Sequence, residues 1–382
     1  MPGFEVFGEE EKKEILEVLE TGVLFRYEFK AQRKGVYKVA EFEKRFADYC
    51  NVSHAQAVSS GTAALRVALA ALGIKSGDEV ITQGFTFVAT WESIIESGGV
   101  PIFTEVDETL NMDVKDLENK ITKRTRAIIP VHMLGAQARI QEIVAVAKKH
   151  GLPVIEDTAQ SCGGRINGKY LGTFGEMGTF SFDPVKTITT GEGGMIITND
   201  KTLYLNCAEF HDHGHEHNPN VERGLDGRRF HGFNFRMMEL QGAIGLAQLA
   251  KLDSIIEAQK KNKAAIKALL EGINGITFRT IVDPQGDTAT FLAFFLPKAA
   301  STQRFNKALC DAGGGAIYFK QNLWHYYPKW EHLLKGVRYP QDALPQSESI
   351  FDRLLVYPIP IKLADERLDI IAKAVQKAKA AI

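Results

Sequence analysis

A chain of 382 residues is too long for one small core and suits a large domain joined to a smaller one. With 45% hydrophobic and 24% charged residues it is globular in composition, which excludes a disordered or fibrous protein. Its formal net charge of -1 gives no global attraction for nucleic acid or an anionic membrane, so any anion binding has to be local. The opening, MPGFEVFGEEEKKE, lacks the basic-then-apolar signature of a secretory signal, and no uninterrupted apolar stretch is long enough to span a bilayer. A cytoplasmic location is expected. Four scattered cysteines (Cys50, Cys162, Cys207, Cys310) without C-x-x-C spacing fit reduced, buried thiols.

From about residue 54 apolar strands alternate with helices. HAQAVSS precedes GTAALRVALAALG, DEVITQG precedes FVATWESIIESGG, and VPIFTEVD precedes a polar helical stretch. TRAIIPVHM then precedes RIQEIVAVAKKHG, and LPVIED closes the series. This pattern predicts an α/β fold with a mostly parallel sheet covered by helices on both faces. Ligands in such sheets bind beyond the carboxyl ends of the strands. A polar, His- and Gly-rich segment follows at 211–232, then a long helical pattern from about Met237 to Leu270. The division expected is a large domain over 1–250 and a smaller α+β domain over 251–382. The first 25 or so residues are expected to pack on the small domain or the site.

Four features fall at strand ends. In SSGTAAL a strand stops at Ser59–Ser60, and Gly61 and Thr62 open a helix whose free N–H groups can hold a phosphate, although many such starts bind nothing. In VIEDTAQ, Asp157 ends a buried strand, either as a structural ion pair or as the grip on a cationic ring nitrogen. Glu156 would point to the opposite face. Lys186, in SFDPVKTITTGEGG, is a lysine at a sheet edge or a Schiff-base nucleophile. Phe87, in GFTFVAT, is core or a flat cover for a planar ring. Taken jointly, a phosphate cradle, a ring-nitrogen carboxylate, a stacking aromatic and a Schiff-base lysine are what pyridoxal phosphate requires.

With GFNFRMMELQGAIGLAQLAKLD, these segments resemble the DegT/DnrJ/EryC1/StrS sugar aminotransferases from about residue 38 to the end. The resemblance implies the fold-type-I pyridoxal-phosphate architecture, with Lys186 bearing the cofactor and Asp157 on its pyridine nitrogen. It further implies Gln160 near the ring's phenolic oxygen, Phe87 over the ring, and Ser181, Thr62 and Ala63 on the phosphate. Asn234 would join them from a second subunit, making the active unit a homodimer with shared sites. L-Glutamate would be the amino donor and a keto sugar the acceptor.

The segment TGVLFRYEFKAQRKG replaces the common family G-W-x-x-x-G, and with MPGFEVFG, HDHGHEH and NLWHYY it resembles the subgroup making the lipopolysaccharide sugar 8-amino-3,8-dideoxy-octulosonate. That makes 3,8-dideoxy-8-oxo-octulosonate the expected acceptor, with a nucleotide-linked 4-keto-6-deoxyhexose as the alternative. Arg26, as a carboxylate binder, Tyr27, His211, His213, Arg229 and His325 are the candidate substrate contacts. His211–His217 reads as a substrate-facing or solvated loop in preference to a metal site. A pyridoxamine-dependent sugar dehydratase is disfavoured because its chemistry replaces the lysine with histidine. A non-catalytic regulator would need a DNA-binding module, for which neither terminus has room or basic charge. A nicotinamide dehydrogenase lacks its G-x-G-x-x-G.

Overall fold

The computed structural model describes residues 3–322, 324–326, 330 and 344–382. Met1 and Pro2 of MPGFEVFG, and Leu323 and Tyr327 of NLWHYY, lie outside the described residues. In chain order, α1 (Glu9–Thr21) and α2 (Lys38–Cys50) lead into β1 (His54–Val58), α3 (Gly61–Ala71), β2 (Glu79–Gln83) and α4 (Val88–Glu96). Next come β3 (Val100–Thr104), α5 (Val114–Lys120), β4 (Thr125–Ile129), α6 (Ile140–Lys149) and β5 (Ile155–Asp157). A small hairpin, β6 (Arg165–Ile166) and β7 (Lys169–Tyr170), precedes β8 (Met177–Ser181), β9 (Gly194–Thr198), α7 (Lys201–Phe210) and α8 (Glu239–Leu270). The chain ends with β10 (Thr277–Phe278), β11 (Phe291–Phe295), α9 (Ala299–Asp311), β12 (Ile317–Tyr318), α10 (Pro345–Phe351), β13 (Leu354–Pro358) and α11 (Asp365–Ala378).

The strand order β1-β9-β8-β5 continues through parallel bridges Ile128↔Val154 and Val131↔Asp157 into β4-β2-β3. All of these strands run parallel except β9, which pairs antiparallel with β1 and β8. Each strand is buried on nearly every residue, as a sheet covered on both faces requires. The carboxyl ends of β1, β5 and β8 therefore face one side, and each leads into a candidate: Gly61, Asp157 and Ser181.

A second, antiparallel sheet, β10-β11-β13-β12, packs on α9, α11 and the last turns of α8 through Ile266 and Leu270. The two sheets share a hydrophobic cluster in which Phe85 and Trp91 meet Phe319, Phe351 and Val356. The 250/251 boundary falls inside α8, whose first half packs on Phe42 and Phe46 of α2. The start of α8 is fixed by a buried ion pair, Glu239 accepting from Arg33 at 2.8 Å and from the Val39 N–H at 3.0 Å. Removing one partner would strand a buried charge, at a cost of about 3–5 kcal/mol.

Candidate active site

Asp157 closes β5 at 4% exposure. Its Oδ2 accepts from the Thr90 hydroxyl at 2.9 Å and its Oδ1 from the Ala159 N–H at 3.1 Å. Thr86, just before α4, and Thr90, in its first turn, have their hydroxyls 2.7 Å from each other, so Thr86 donates to Thr90 and Thr90 to the carboxylate. Burial pushes the Asp157 carboxyl up, while these two donors and the charge of Lys186 oppose the shift. Glu156 does face the other way: it takes His132 Nε2 at 3.0 Å and the N–H groups of Gly172, Phe174 and Gly175. Because His132 Nδ1 accepts from the Ala138 N–H, its Nε2 carries the proton that Glu156 receives.

Lys186 sits on the loop between β8 and β9. Burial holds its amine below the ordinary lysine range, against the charges of Asp183 and Asp157. Its Nζ lies 5.9 Å from the centre of the Phe87 ring. Asp157, Lys186, Phe87, Gln160, Thr62 and Ser181 line one small cavity of about 50 Å³. Phe87, Gln160 and Lys186 also line an adjoining space of about 380 Å³, walled by Phe291, Ile317, Phe319, His325 and Pro358. Lys186 thus stands between an inner pocket on the first sheet and an outer one closed by the second.

At one end of the inner pocket the start of α3 approaches β8 closely. A Cβ on Gly61 would lie 2.6 Å from Ser181 Cβ and 2.9 Å from its Oγ, so only glycine lets the start of α3 come this close to β8. The first-turn N–H groups of a helix have no partner within it and carry its positive dipole end. Ala63 departs from expectation here: its N–H already donates to the Ser60 side chain at 3.0 Å, capping α3. Its methyl is buried, so Gly61, Thr62 and Ser181 are the groups left to an anion. Gln160 is held by the Leu134 N–H, which donates to Oε1 at 2.9 Å.

Of the six candidate substrate contacts, only His325 lines the outer cavity. Its pKa is pushed down to about 4 by burial and by the Lys186 charge. Arg26 is not free to bind a substrate carboxylate. Its guanidinium is sunk against Glu43, at 2.5 and 2.6 Å, and donates to Ala57 O at 3.3 Å. Tyr27 meets His211 Nε2 at 3.0 Å, and His211 is fully buried rather than solvated or substrate-facing. His215 pairs with Asp226, and His217 reaches Ala208 O. His213 is exposed, and Arg229 pairs with Glu209; neither lines the cavities at Lys186. The FRYEF and HDHGHEH segments are two halves of one packed network, centred on Asp212, which accepts from Arg223 and Arg236 at 2.5 Å each and is held at about 2. Among the described residues no group of His, Cys, Asp or Glu is arranged to hold a metal. Asn234 is exposed and lines neither cavity of its own chain. Cys310 is exposed, unlike the other three cysteines.

A family model of the DegT/DnrJ/EryC1/StrS aminotransferases matches residues 6–376. The chain belongs to that family. It is 33% identical over 358 residues to GDP-perosamine synthase of Vibrio cholerae, covering 90% of this chain and 91% of that one. It is 45% identical over 232 residues to GDP-perosamine synthase of Escherichia coli O157:H7, a match spanning 60% of this chain and 61% of the relative's length. The X-ray structure of an aminotransferase from Psychrobacter cryohalolentis superposes with a TM-score of 0.86 at 27% identity, over 97% of this chain and 96% of that one. The fold is that of a pyridoxal-phosphate-dependent transaminase, and the residues lining the inner pocket fit that cofactor: a glycine-opened helix start for its phosphate, a buried carboxylate for its ring and an amine between them. Among the described residues no helix is long and apolar enough to cross a membrane.

Thr90, Thr86 and Leu134 escaped the sequence reading. The two threonines had a legible signal, hydroxyls four apart at a helix start beside Phe87. Leu134 had none, since it acts through its backbone.

Proposed function

We propose that this chain transfers an amino group from an amino acid, L-glutamate, to a nucleotide-linked 4-keto-6-deoxyhexose. The observation that carries the reading is the junction at Lys186: an amine kept towards neutrality, between a pocket lined by Gly61, Thr62, Asp157 and Ser181 and a larger one walled by the second sheet. The name shared by two relatives, GDP-perosamine synthase, supports a nucleotide-linked acceptor. The sugar acid lost its physical argument when Arg26 proved to be paired with Glu43.

Pyridoxal phosphate, when bound, supplies the electron sink that makes the donor's α-proton removable. Lys186 would bear it and, once displaced by the donor, take that proton at Nζ and return it, a role that needs the unprotonated amine its burial favours. Asp157, oriented by Thr90 and Ala159, would hold the ring nitrogen protonated. Gly61, Thr62 and Ser181 would hold the phosphate, Phe87 would cover the ring, and Gln160 would face its oxygen. We assign Asn234 to a partner subunit's phosphate in a homodimer, a reading supported by its exposure next to Phe233, which is also exposed.

The test is a half-reaction screen. The purified amine form of the enzyme is offered GDP-4-keto-6-deoxymannose and 3,8-dideoxy-8-oxo-octulosonate, and kcat/KM is read from the cofactor's absorbance. The nucleotide sugar should react faster. Preference for the sugar acid would overturn the acceptor and leave the transaminase standing.

A further inference from the structure

We infer that residues 3–11 form a strap that positions the backbone of Lys186, with Gly3 and Gln248 as its positioning residues; this rests on the reading of Lys186 as the cofactor-bearing amine. The Gly3 N–H donates to the Lys186 carbonyl at 3.0 Å. The Gly3 carbonyl accepts from Gln248 Nε2 at 3.3 Å, and Gln248 Oε1 accepts from the Thr189 N–H at 3.3 Å. One fully buried side chain on α8 therefore holds both the strap and the Lys186 loop.

The hold continues outward. Gln248 Nε2 also donates to Glu11 at 2.7 Å, and Glu11, fully buried, takes Lys251 on both oxygens at 2.8 Å and the Gly8 N–H at 2.7 Å. Lys251 in turn donates to Val6 O at 2.9 Å. On the other side, Glu5 accepts from the N–H groups of Ile361 and Lys362 at 3.1 and 2.9 Å. Those residues follow β13, whose last residue, Pro358, lines the outer cavity. The strap thus ties the Lys186 loop to α8 and to the exit of the second sheet.

The loop carrying Lys186 belongs to neither a helix nor a strand, so the amine at the end of a long side chain inherits any drift of its backbone. Misplacing a reacting group by about 1 Å can cost a hundredfold in rate. The fit at Gly3 is tight: a Cβ there would lie 2.1 Å from Gln248 Oε1 and 3.0 Å from both Ile188 Cα and Thr187 O. Alanine would press on Gln248 and on the backbone of Thr187 and Ile188, and so lift the strap off the Lys186 loop. A purely structural anchor would answer such a change in melting temperature alone. A positioning device would answer in the behaviour of the amine.

The experiment compares wild type, Gly3→Ala and a chain lacking residues 1–7. In the apoprotein, competitive acetylation with acetic anhydride across pH, read lysine by lysine by mass spectrometry, reports the titration and reactivity of Lys186. Titration with pyridoxal phosphate reports affinity. The loss of one hydrogen bond of this kind should change the Lys186 acetylation rate at fixed pH, and weaken cofactor binding, by about three- to tenfold. In Gly3→Ala the lysines that do not touch the strap should keep their rates, so that the change is confined to Lys186. If Gly3→Ala leaves the Lys186 profile and the cofactor affinity at wild-type values, the strap is no positioning device, whatever happens to the midpoint. The shortened chain should show the larger change; should it aggregate, Gly3→Ala alone decides. Borohydride reduction of the wild-type holoenzyme separates the two claims: cofactor fixed on another lysine would sink the functional reading, while acetylation would still show whether the strap governs this amine.

Discussion

Replacing Gly61 by alanine tests the cradle at its narrowest point. The new Cβ would lie 2.6, 2.9 and 3.3 Å from the Cβ, Oγ and Cα of Ser181, and Ser181, at 7% exposure on the last position of β8, has nowhere to go. The first turn of α3 must withdraw. Overpacking of this kind costs about 1–3 kcal/mol, and the groups displaced are the ones placed to hold the phosphate. The dissociation constant for pyridoxal phosphate should therefore rise by about five- to a hundredfold, measured by titrating the apoprotein and following protein fluorescence and cofactor absorbance. A second arm isolates the cause. Ser181→Gly deletes the two closest atoms, so Gly61→Ala combined with Ser181→Gly should bind better than the two separate losses predict, with a coupling of about 1 kcal/mol. Wild-type affinity in Gly61→Ala, or strictly additive losses in the pair, would refute the cradle.

Three further outcomes are expected. Lys186→Ala should retain cofactor noncovalently but lose turnover by on the order of a thousandfold or more, since nucleophile and base go together; a modest loss in steady-state rate would assign the chemistry elsewhere. Asp157→Asn should slow the glutamate half-reaction by about a hundredfold while leaving the Thr90 contact available, because an amide cannot hold a ring cation; near-normal single-turnover rates would name another acid. His325 sets a pH dependence. Its folded pKa of about 4, against 6.5 when unfolded, means the unfolded chain binds the extra proton between those values. Stability should therefore fall as pH drops from 6.5 towards 4, by about 3 kcal/mol in all once the pH lies below both values. His325→Phe, among the rings of Phe85, Phe87 and Phe319, should flatten that part of the denaturation profile; parallel profiles would contradict the assignment.

The parts of the site legible in the sequence were those whose chemistry is local to a strand end. Asp157 ends a buried strand, Lys186 and Gly61 each follow one, and the parity of β5 alone separated Asp157 from Glu156. The sheet was legible because strands buried on both faces leave continuous apolar runs, but the reversed direction of β9 was not, since antiparallel and parallel buried strands look alike in composition. Arg26 shows the limit on substrate contacts. An arginine among aromatics reads as a carboxylate binder from sequence, yet Glu43, seventeen positions away and on α2, takes Arg26 Nη2 on both of its oxygens, and Ala57 O takes Nη1. Long-range pairing of charges has no signature in spacing. Nor does the strap, whose decisive groups at Gly3 and Lys186 are a backbone N–H and a backbone carbonyl.

The electrostatics of Asp157 and Lys186 decide between a site and a structural ion pair. Two buried opposite charges kept for stability should meet at hydrogen-bond distance, because only close contact offsets their desolvation. Among the described residues no ion pair joins these two. The Asp157 oxygens are instead occupied by a hydroxyl and an amide N–H, neutral donors that fix its direction without satisfying its charge. Lys186 faces an aromatic ring. Burial accordingly pushes the carboxyl up and the amine down, each towards its neutral form. Holding a buried carboxylate and a half-buried amine apart is costly for the apoprotein, and a ligand bringing a ring cation to one and a carbonyl to the other relieves both costs at once. The holoprotein should therefore melt higher than the apoprotein by an amount that grows with the logarithm of pyridoxal phosphate concentration, and Asp157→Asn should diminish that gain more than it lowers the apoprotein's own midpoint. An equal drop in both midpoints would mean that Asp157 serves the fold and not the ligand.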